Sequence, residues 1–402
     1  MSSATASIQK LADRLLASKW HNGVTLCLYD CETGKETHVG AGALSTRSPY
    51  FAPALSILVT SAILLQLREE GKIDLDHPFQ RYMSFPGQVA ELHVKDGIDR
   101  TDRITLRHLM SHRSGFGDFF LFKNLARTVH HDFANGVDSA WGFDEVLQRT
   151  RSHGAVAAPG VGRRARYADS NFHLLGRVIE TVEGKSYADV VRDRVIDRLG
   201  LYSTYVYCDP SDHRPLDLMS RSRQIHVPRT MASLQADGGI VTTAREAVTF
   251  LRGFFEGYLF DKRILPHLYT WRPIFYPVVF GTGLTQVQPP WWMTIPHRLG
   301  YKPKFLLKPV PRMIGNVGIG GSFAYYAPDV RAYVSGTVNQ LSDPARAVAL
   351  AVHAFDTLRY EIRPEQFGVL AQSLPGQSFD MPPSKPACPD RMAASDRTVE
   401  FR

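Results

Sequence analysis

Two residue pairs have the spacing of known chemistry. His108 and His112 stand four apart in a helical stretch, the spacing with which two imidazoles on one helix face can hold a metal. No glutamate follows His108, so the H-E-x-x-H arrangement is missing and structural roles outweigh a metal pair. Cys27 and Cys31 share a strand-like stretch at a spacing that fits neither a redox nor a zinc pair. The four cysteines therefore read as reduced thiols of a cytoplasmic protein. No G-x-S-x-G elbow and no G-x-x-x-x-G-K-[ST] loop occurs, which leaves an α/β-hydrolase triad unsupported. Polar side chains also stand in "YADSN", with Tyr167 and Asp169, and in the Gly-rich "GNVGIGG", with Asn316, where spacing alone assigns no chemistry. Asn316 is a neutral donor and acceptor on a strand edge, suited to an oxyanion or a carboxylate. Asp169 can pair with an arginine or contribute a carboxylate to a site. The expected metal set is none, and no cofactor is expected.

The elements that must position these groups follow from periodicity. Residues 7–19 predict a helix with Ile8, Leu11, Leu15 and Leu16 on one face, and "GVTLCLYDCETGKETHVGAG" predicts two strands around a turn at Glu32–Lys35. An apolar helix over about 54–70 ends at Gly71. Residues 80–225 read as helices joined by long loops, and "DGGIVTTAREAVTFLRGFF" as a Gly turn, a threonine cap and an amphipathic helix. Residues 256–312 are rich in proline and aromatics, including Trp271, Trp291 and Trp292. Then come two strands, "GSFAYYAPD" and "RAYVSGTVNQ", and a helix over about 343–360. From about 373 the Pro/Ser-rich tail reads as disordered. This order predicts a two-lobe α/β (α+β) fold in a single domain over 1–372. An antiparallel sheet flanked by helices is built from both ends of the chain (about 1–80 and 226–372). An all-helical lobe (about 81–225) is inserted, and the inter-lobe cleft is the default pocket.

Composition narrows the partners. The 402 residues are 44% hydrophobic and 21% charged, and the net charge of +8 is carried mostly by arginine. Arg163, Arg164 and Arg166 cluster, but no long basic run with interleaved aromatics occurs, so nucleic acid is not expected. The N-terminus lacks an apolar signal core, and the longest apolar run, Ala52 to Leu67, is short for a bilayer. The expected partner is a small molecule, with no membrane and with the oligomeric state left open.

Six stretches in order carry a family resemblance. "LLQLREEGKIDLDHP", "ITLRHLMSHRSGF", "YADSNFHLLGRVIETVEGKSY", "DGGIVTTAREAVTFL", "GTGL" and "GNVGIGGSFAYYAPDVRAYVSGTVNQ" resemble the serine β-lactamase and penicillin-binding-protein superfamily, on its class C β-lactamase and esterase side. The resemblance implies a serine at a helix N-terminus and a lysine one turn along the same face. It further implies a tyrosine from the helical lobe and a Lys-Thr-Gly or His-x-Gly strand edge. Anchored on "LLQL", the serine position is Ala54 and the lysine position Ile57, and the strand edge reads Asn316-Val317-Gly318. Tyr167 alone is kept. Ser56 is rotated about 200° from Ala54, and Ser61 lies about 10 Å along the helix, so neither restores the motif.

Three functions from different classes follow. The first is a repurposed non-covalent catalyst in which Tyr167, Asn316 and Asp169 act on a small apolar or aromatic metabolite, with secondary metabolism as one setting. Gly318, Trp291 and Trp292 then border the ligand, because proline-stiffened aromatics suit a bulky apolar group. The second is a pseudoenzyme that binds a ligand or protein. The third is an esterase or acyltransferase with another nucleophile. Without a lysine beside it, the Tyr167 hydroxyl is expected near its free pKa of about 10.

Overall fold

The computed structural model describes residues 3–120, 128–292 and 307–360. The tail from 373, and most of the "WWMTIPHRLGYKPKFLL" stretch, lie outside the described residues. An eight-stranded antiparallel sheet organises the chain. Its strands are β1 (Gly23–Asp30), β2 (Glu36–Gly42), β3 (Arg272–Phe275), β4 (Val278–Phe280), β5 (Thr285–Val287), β6 (Met313–Val317), β7 (Ser322–Ala327) and β8 (Ala332–Thr337). Their order across the sheet is β3-β4-β5-β6-β7-β8-β1-β2. The N-terminal hairpin thus joins the C-terminal strands through β8 and β1, with Cys27 opposite Ser335.

Alternation along the strands decides which face each side chain serves. Val24, Leu26 and Leu28 of β1, with Phe323 and Tyr325 of β7, bury one face. Two helices cover it: α1 (Ser3–Leu16), through Ile8, Ala12 and Leu15, and the last helix, α6 (Pro344–Arg359), through Leu350 and Phe355. Cys27, Ala324 and Tyr333 point to the opposite face, against α2 (Pro53–Glu69) and α5 (Ala244–Glu256). Helix α2 is buried from Pro53 through Leu67, which explains why its sequence is apolar on all sides. No described helix is long and apolar enough to cross a membrane.

Two further helices bring the second lobe to α2: α3 (Ser170–Glu183) and α4 (Pro228–Gly238). The predicted elements 7–19, 54–70 and 343–360 are present within a few residues of their expected ends. The inserted lobe is less purely helical than expected. It holds the short hairpins Val94–Lys95 with Ile98–Asp99 and Leu218–Ser220 with Arg223–Ile225, and a strand, Tyr205–Val206, that pairs with Ile240–Thr242. The proline-rich segment from 271 also supplies β3, β4 and β5, strands of four residues or fewer. The loop before α3 ties the lobes together: the Ala165 N–H donates to the Pro273 carbonyl (3.0 Å) and the Arg164 guanidinium to that of Ile274 (2.9 Å).

Candidate active site

Where α2 begins, it abuts the end of β6. A Cβ built on Gly318 would lie 2.3 Å from the Ala54 nitrogen, so only glycine permits this approach. Beside the contact is a cavity of about 60 Å³. Ile57, Tyr167, Asn316 and Gly318 line it together, although they come from α2, the helical lobe and the strand edge. Ile274, Phe275, Val278 and Phe280 give it apolar walls, and Phe275 is exposed at its rim. None of the cavity-lining residues is a serine, cysteine or lysine. Larger surface grooves lie elsewhere, among them one of about 270 Å³ beside His213 and His226 and one of about 760 Å³ beside Tyr202 and Arg245, and neither of these contains Tyr167 or Asn316.

Ala54 is buried and stands behind the lining rather than in it. Its N–H, a free donor by virtue of opening a helix, is engaged by the Ser322 hydroxyl (3.2 Å). Ser56 Oγ accepts the Ile240 N–H (3.1 Å), and the Ser61 hydroxyl donates to the Ile57 carbonyl (2.8 Å). Both serines are fully buried and serve the backbone, not the cavity.

Trp291 and Trp292 do not border the cavity. They are 40% and 55% exposed. The proline-rich segment does reach the cavity, through Ile274 and Phe275. The histidines expected to be structural have separate tasks. His108 closes a capping box with Thr105, while the buried His112 stacks on Tyr167 with ring centroids 4.5 Å apart. Burial holds the His112 imidazole neutral, its pKa lowered to about 3. A thiol, a carboxylate and an imidazole also meet away from the cavity, where Cys27, Glu36 and His38 have ligand atoms within 4.8 Å of one another. Arg245 already pairs with that carboxylate at 3.1 Å.

The unforeseen part of the site is acidic. Asp169 stands at the N-cap of α3, where an aspartate ordinarily accepts a helix N–H, yet its side chain makes no cap bond. It turns inward toward Asp237, which comes from the end of α4 and lines the cavity. Asp118 stands behind the pair, and its Oδ1 accepts the Asp169 N–H (3.2 Å). Neither Asp169 oxygen, nor Oδ1 of Asp237, has a well-formed hydrogen bond, although the two carboxyls and the Tyr167 hydroxyl adjoin. Burial, then the neighbouring carboxylates Asp237 and Asp118, push the Asp169 carboxyl well above its usual range. Burial raises Asp237 to about 7. The Tyr167 hydroxyl is pushed well above 10 by burial and by Asp169, not left near its free value as the local sequence suggests. Just before Asp237, Gln235 has φ 44° and ψ −118°, a strained conformation that breaks α4.

A pH dependence of stability follows. The folded state holds a proton on Asp237 between its ordinary pKa of 3.8 and about 7, where the unfolded chain has released it. This contribution is complete below about pH 4 and lost as pH rises through 7. Asp237→Asn is expected to flatten the fall in melting temperature over that window and to raise stability at pH 8. The scale is on the order of 1.4 kcal/mol for each unit of displaced pKa. Melting curves at pH 5 and pH 8 check it; an equal drop in parent and variant contradicts it.

The Beta-lactamase family model matches residues 8–359. Among solved structures, a D-stereospecific amidohydrolase from a Streptomyces species superposes with TM-score 0.66 at 24% identity, over 86% of this chain and 96% of that one. The D-amino acid amidase from Ochrobactrum anthropi SV3, complexed with D-phenylalanine, superposes with TM-score 0.67 at 20% identity, over 89% and 99%. Among curated sequences, a putative penicillin-binding protein of Bacillus subtilis is 23% identical over 232 residues, 55% of this chain. The match spans 50% of that relative's length, and 39% for penicillin-binding protein 4 of Amycolatopsis lactamdurans, which is 29% identical over 42% of this chain. The match runs from the first helix to the last and takes in α2, Tyr167 and the β6 edge: the chain belongs to the β-lactamase family.

Proposed function

We propose that this β-lactamase-family protein acts on a small, mostly apolar molecule in the inter-lobe cavity without forming an acyl-enzyme. The observation that carries the reading is the lining itself. Tyr167, Asn316 and Asp237 are polar groups of one apolar cavity, and Ile57 takes the place where the resemblance calls for a lysine. Asn316 is 4% exposed and its side-chain amide has no hydrogen-bond partner among the described residues, so it is open to a ligand. Tyr167 keeps part of its surface in the cavity. A hydroxyl held protonated serves as a donor or general acid rather than a base. The D-stereospecific amidohydrolase and the D-amino acid amidase share this fold, and the D-phenylalanine complex of the amidase supports an aromatic-sized ligand for this cleft.

Binding without turnover is the second reading. One observation favours it: the Ala54 N–H at the start of α2, which could polarise a carbonyl, is already held by Ser322. An esterase using Ser56 or Ser61 finds no support, since both hydroxyls are buried and bonded to backbone.

Intact-mass spectrometry tests the absence of acyl chemistry. Incubation with a fluorophosphonate, a penicillin or an activated ester is expected to leave the mass unchanged. Stoichiometric labelling of one serine, faster than in denatured protein, would reject the proposal.

A further inference from the structure

We propose that Asp237 and Asp169 share protons as a carboxyl pair, and that Asp237 donates a hydrogen bond to the carbonyl oxygen of a neutral, largely apolar ligand. The Asn316 amide is that ligand's second polar contact. The inference rests on the cavity being the working site and adds the chemical class of its ligand.

The geometry excludes the simpler alternatives. Asp169 and Asp237 are 1% and 5% exposed, and among the described residues neither forms an ion pair. Facing Asp237 are Asp169, Asp118, Tyr167 and Tyr187, all acidic groups. Tyr187 is engaged with Thr60 at 2.7 Å, and His112, behind Tyr167, is neutral. Two ionised carboxylates so placed repel and are stripped of water, so the pair keeps a proton. A protonated carboxyl adds an O–H donor beside the apolar walls formed by Ile57, Val278 and Phe280. Asn316, also buried and open, offers an amide on the same cavity. A space of about 60 Å³ holds a carbonyl head group, with the rest of the molecule toward exposed Phe275. A carboxylate ligand would meet like charge. An ammonium ligand would require the pair to ionise, so its affinity would rise with pH.

Carbonyl-¹³C acetophenone is the neutral probe and benzylammonium the cationic one, both followed by NMR titration of the full chain. Acetophenone is expected to bind at pH 5.5 with a downfield carbonyl shift, and at least about tenfold more weakly at pH 8.5. In Asp237→Asn, whose amide donates without titrating, the two affinities converge. Ile57→Phe fills the cavity and is expected to abolish binding; Ile57→Met replaces it if circular dichroism shows the phenylalanine variant unfolded. Acetophenone that stays bound after the cavity is filled overturns the cavity reading. Acetophenone lost on filling, but bound equally at both pH values by the parent, overturns the acid pair alone. Failure of acetophenone to bind at pH 5.5, or benzylammonium binding at pH 5.5 at least as tightly as acetophenone, also overturns the carbonyl proposal.

Discussion

The Ala54→Ser, Ile57→Lys double variant is expected to hydrolyse p-nitrophenyl esters weakly, while the parent and both single variants do not. The scaffold around these positions is intact: α2 starts against Gly318, and residue 57 faces the cavity that holds Tyr167. A nucleophile without its base, or a base without a nucleophile, does no acyl chemistry. A lysine buried alone would be destabilising by several kcal/mol. Here Asp237 lines the same cavity and can take the opposite charge, so the double variant is expected to fold with a smaller loss. Activity is limited because Ser322 already holds the Ala54 N–H. Steady-state rates against parent protein of the same purity check this. Ester turnover by the parent equal to that of the double variant would reject the assignment of Ala54 and Ile57.

Adding Tyr167→Phe to that double variant is expected to lower its ester turnover by about 100-fold, the scale of a lost proton-transfer group. The substitution is conservative for folding. The ring stacks on His112, and the phenylalanine ring keeps that contact. What the hydroxyl loses is its polar contact with Asp169, not ring packing. Melting temperature and rate separate the two roles. A rate unchanged with an early melt would make Tyr167 a structural residue and favour binding without turnover.

Much of the architecture is legible in the sequence because its signals are local. Val24, Leu26 and Leu28 alternate with Thr25 and Cys27, and the structure puts the two sets on opposite faces of the sheet. Helix α2 reads as an apolar helix ending at Gly71, and the structure buries it from Pro53 through Leu67. The strands β3 to β5 are hidden because each spans four residues or fewer among prolines, too short for a period-two pattern. Tyr167 and Asn316 are readable from motif position, and the structure brings both to one cavity. Asp237 is not, since it stands before two glycines and reads as part of a turn. Only the break in α4 at Gln235 and the packing of α4 on α3 carry it to Asp169. A hint was present: "DGG" puts a carboxylate at the entry to an apolar strand, Ile240–Thr242, where burial is hard to avoid. The same tertiary contacts explain why Tyr167 departs from its free pKa. Trp291 and Trp292 show the opposite case, aromatics whose local sequence suggests a pocket and whose place in the fold is the surface.

Native mass spectrometry of freshly purified protein, paired with a denaturing spectrum, tests most directly whether the cavity between α2 and β6 is a non-covalent binding site. The expected result is a small-molecule adduct in the native spectrum that vanishes on denaturation and is absent from a folded Ile57→Phe variant. An adduct that survives denaturation and maps to a serine, or one that the filled cavity still retains, would contradict it.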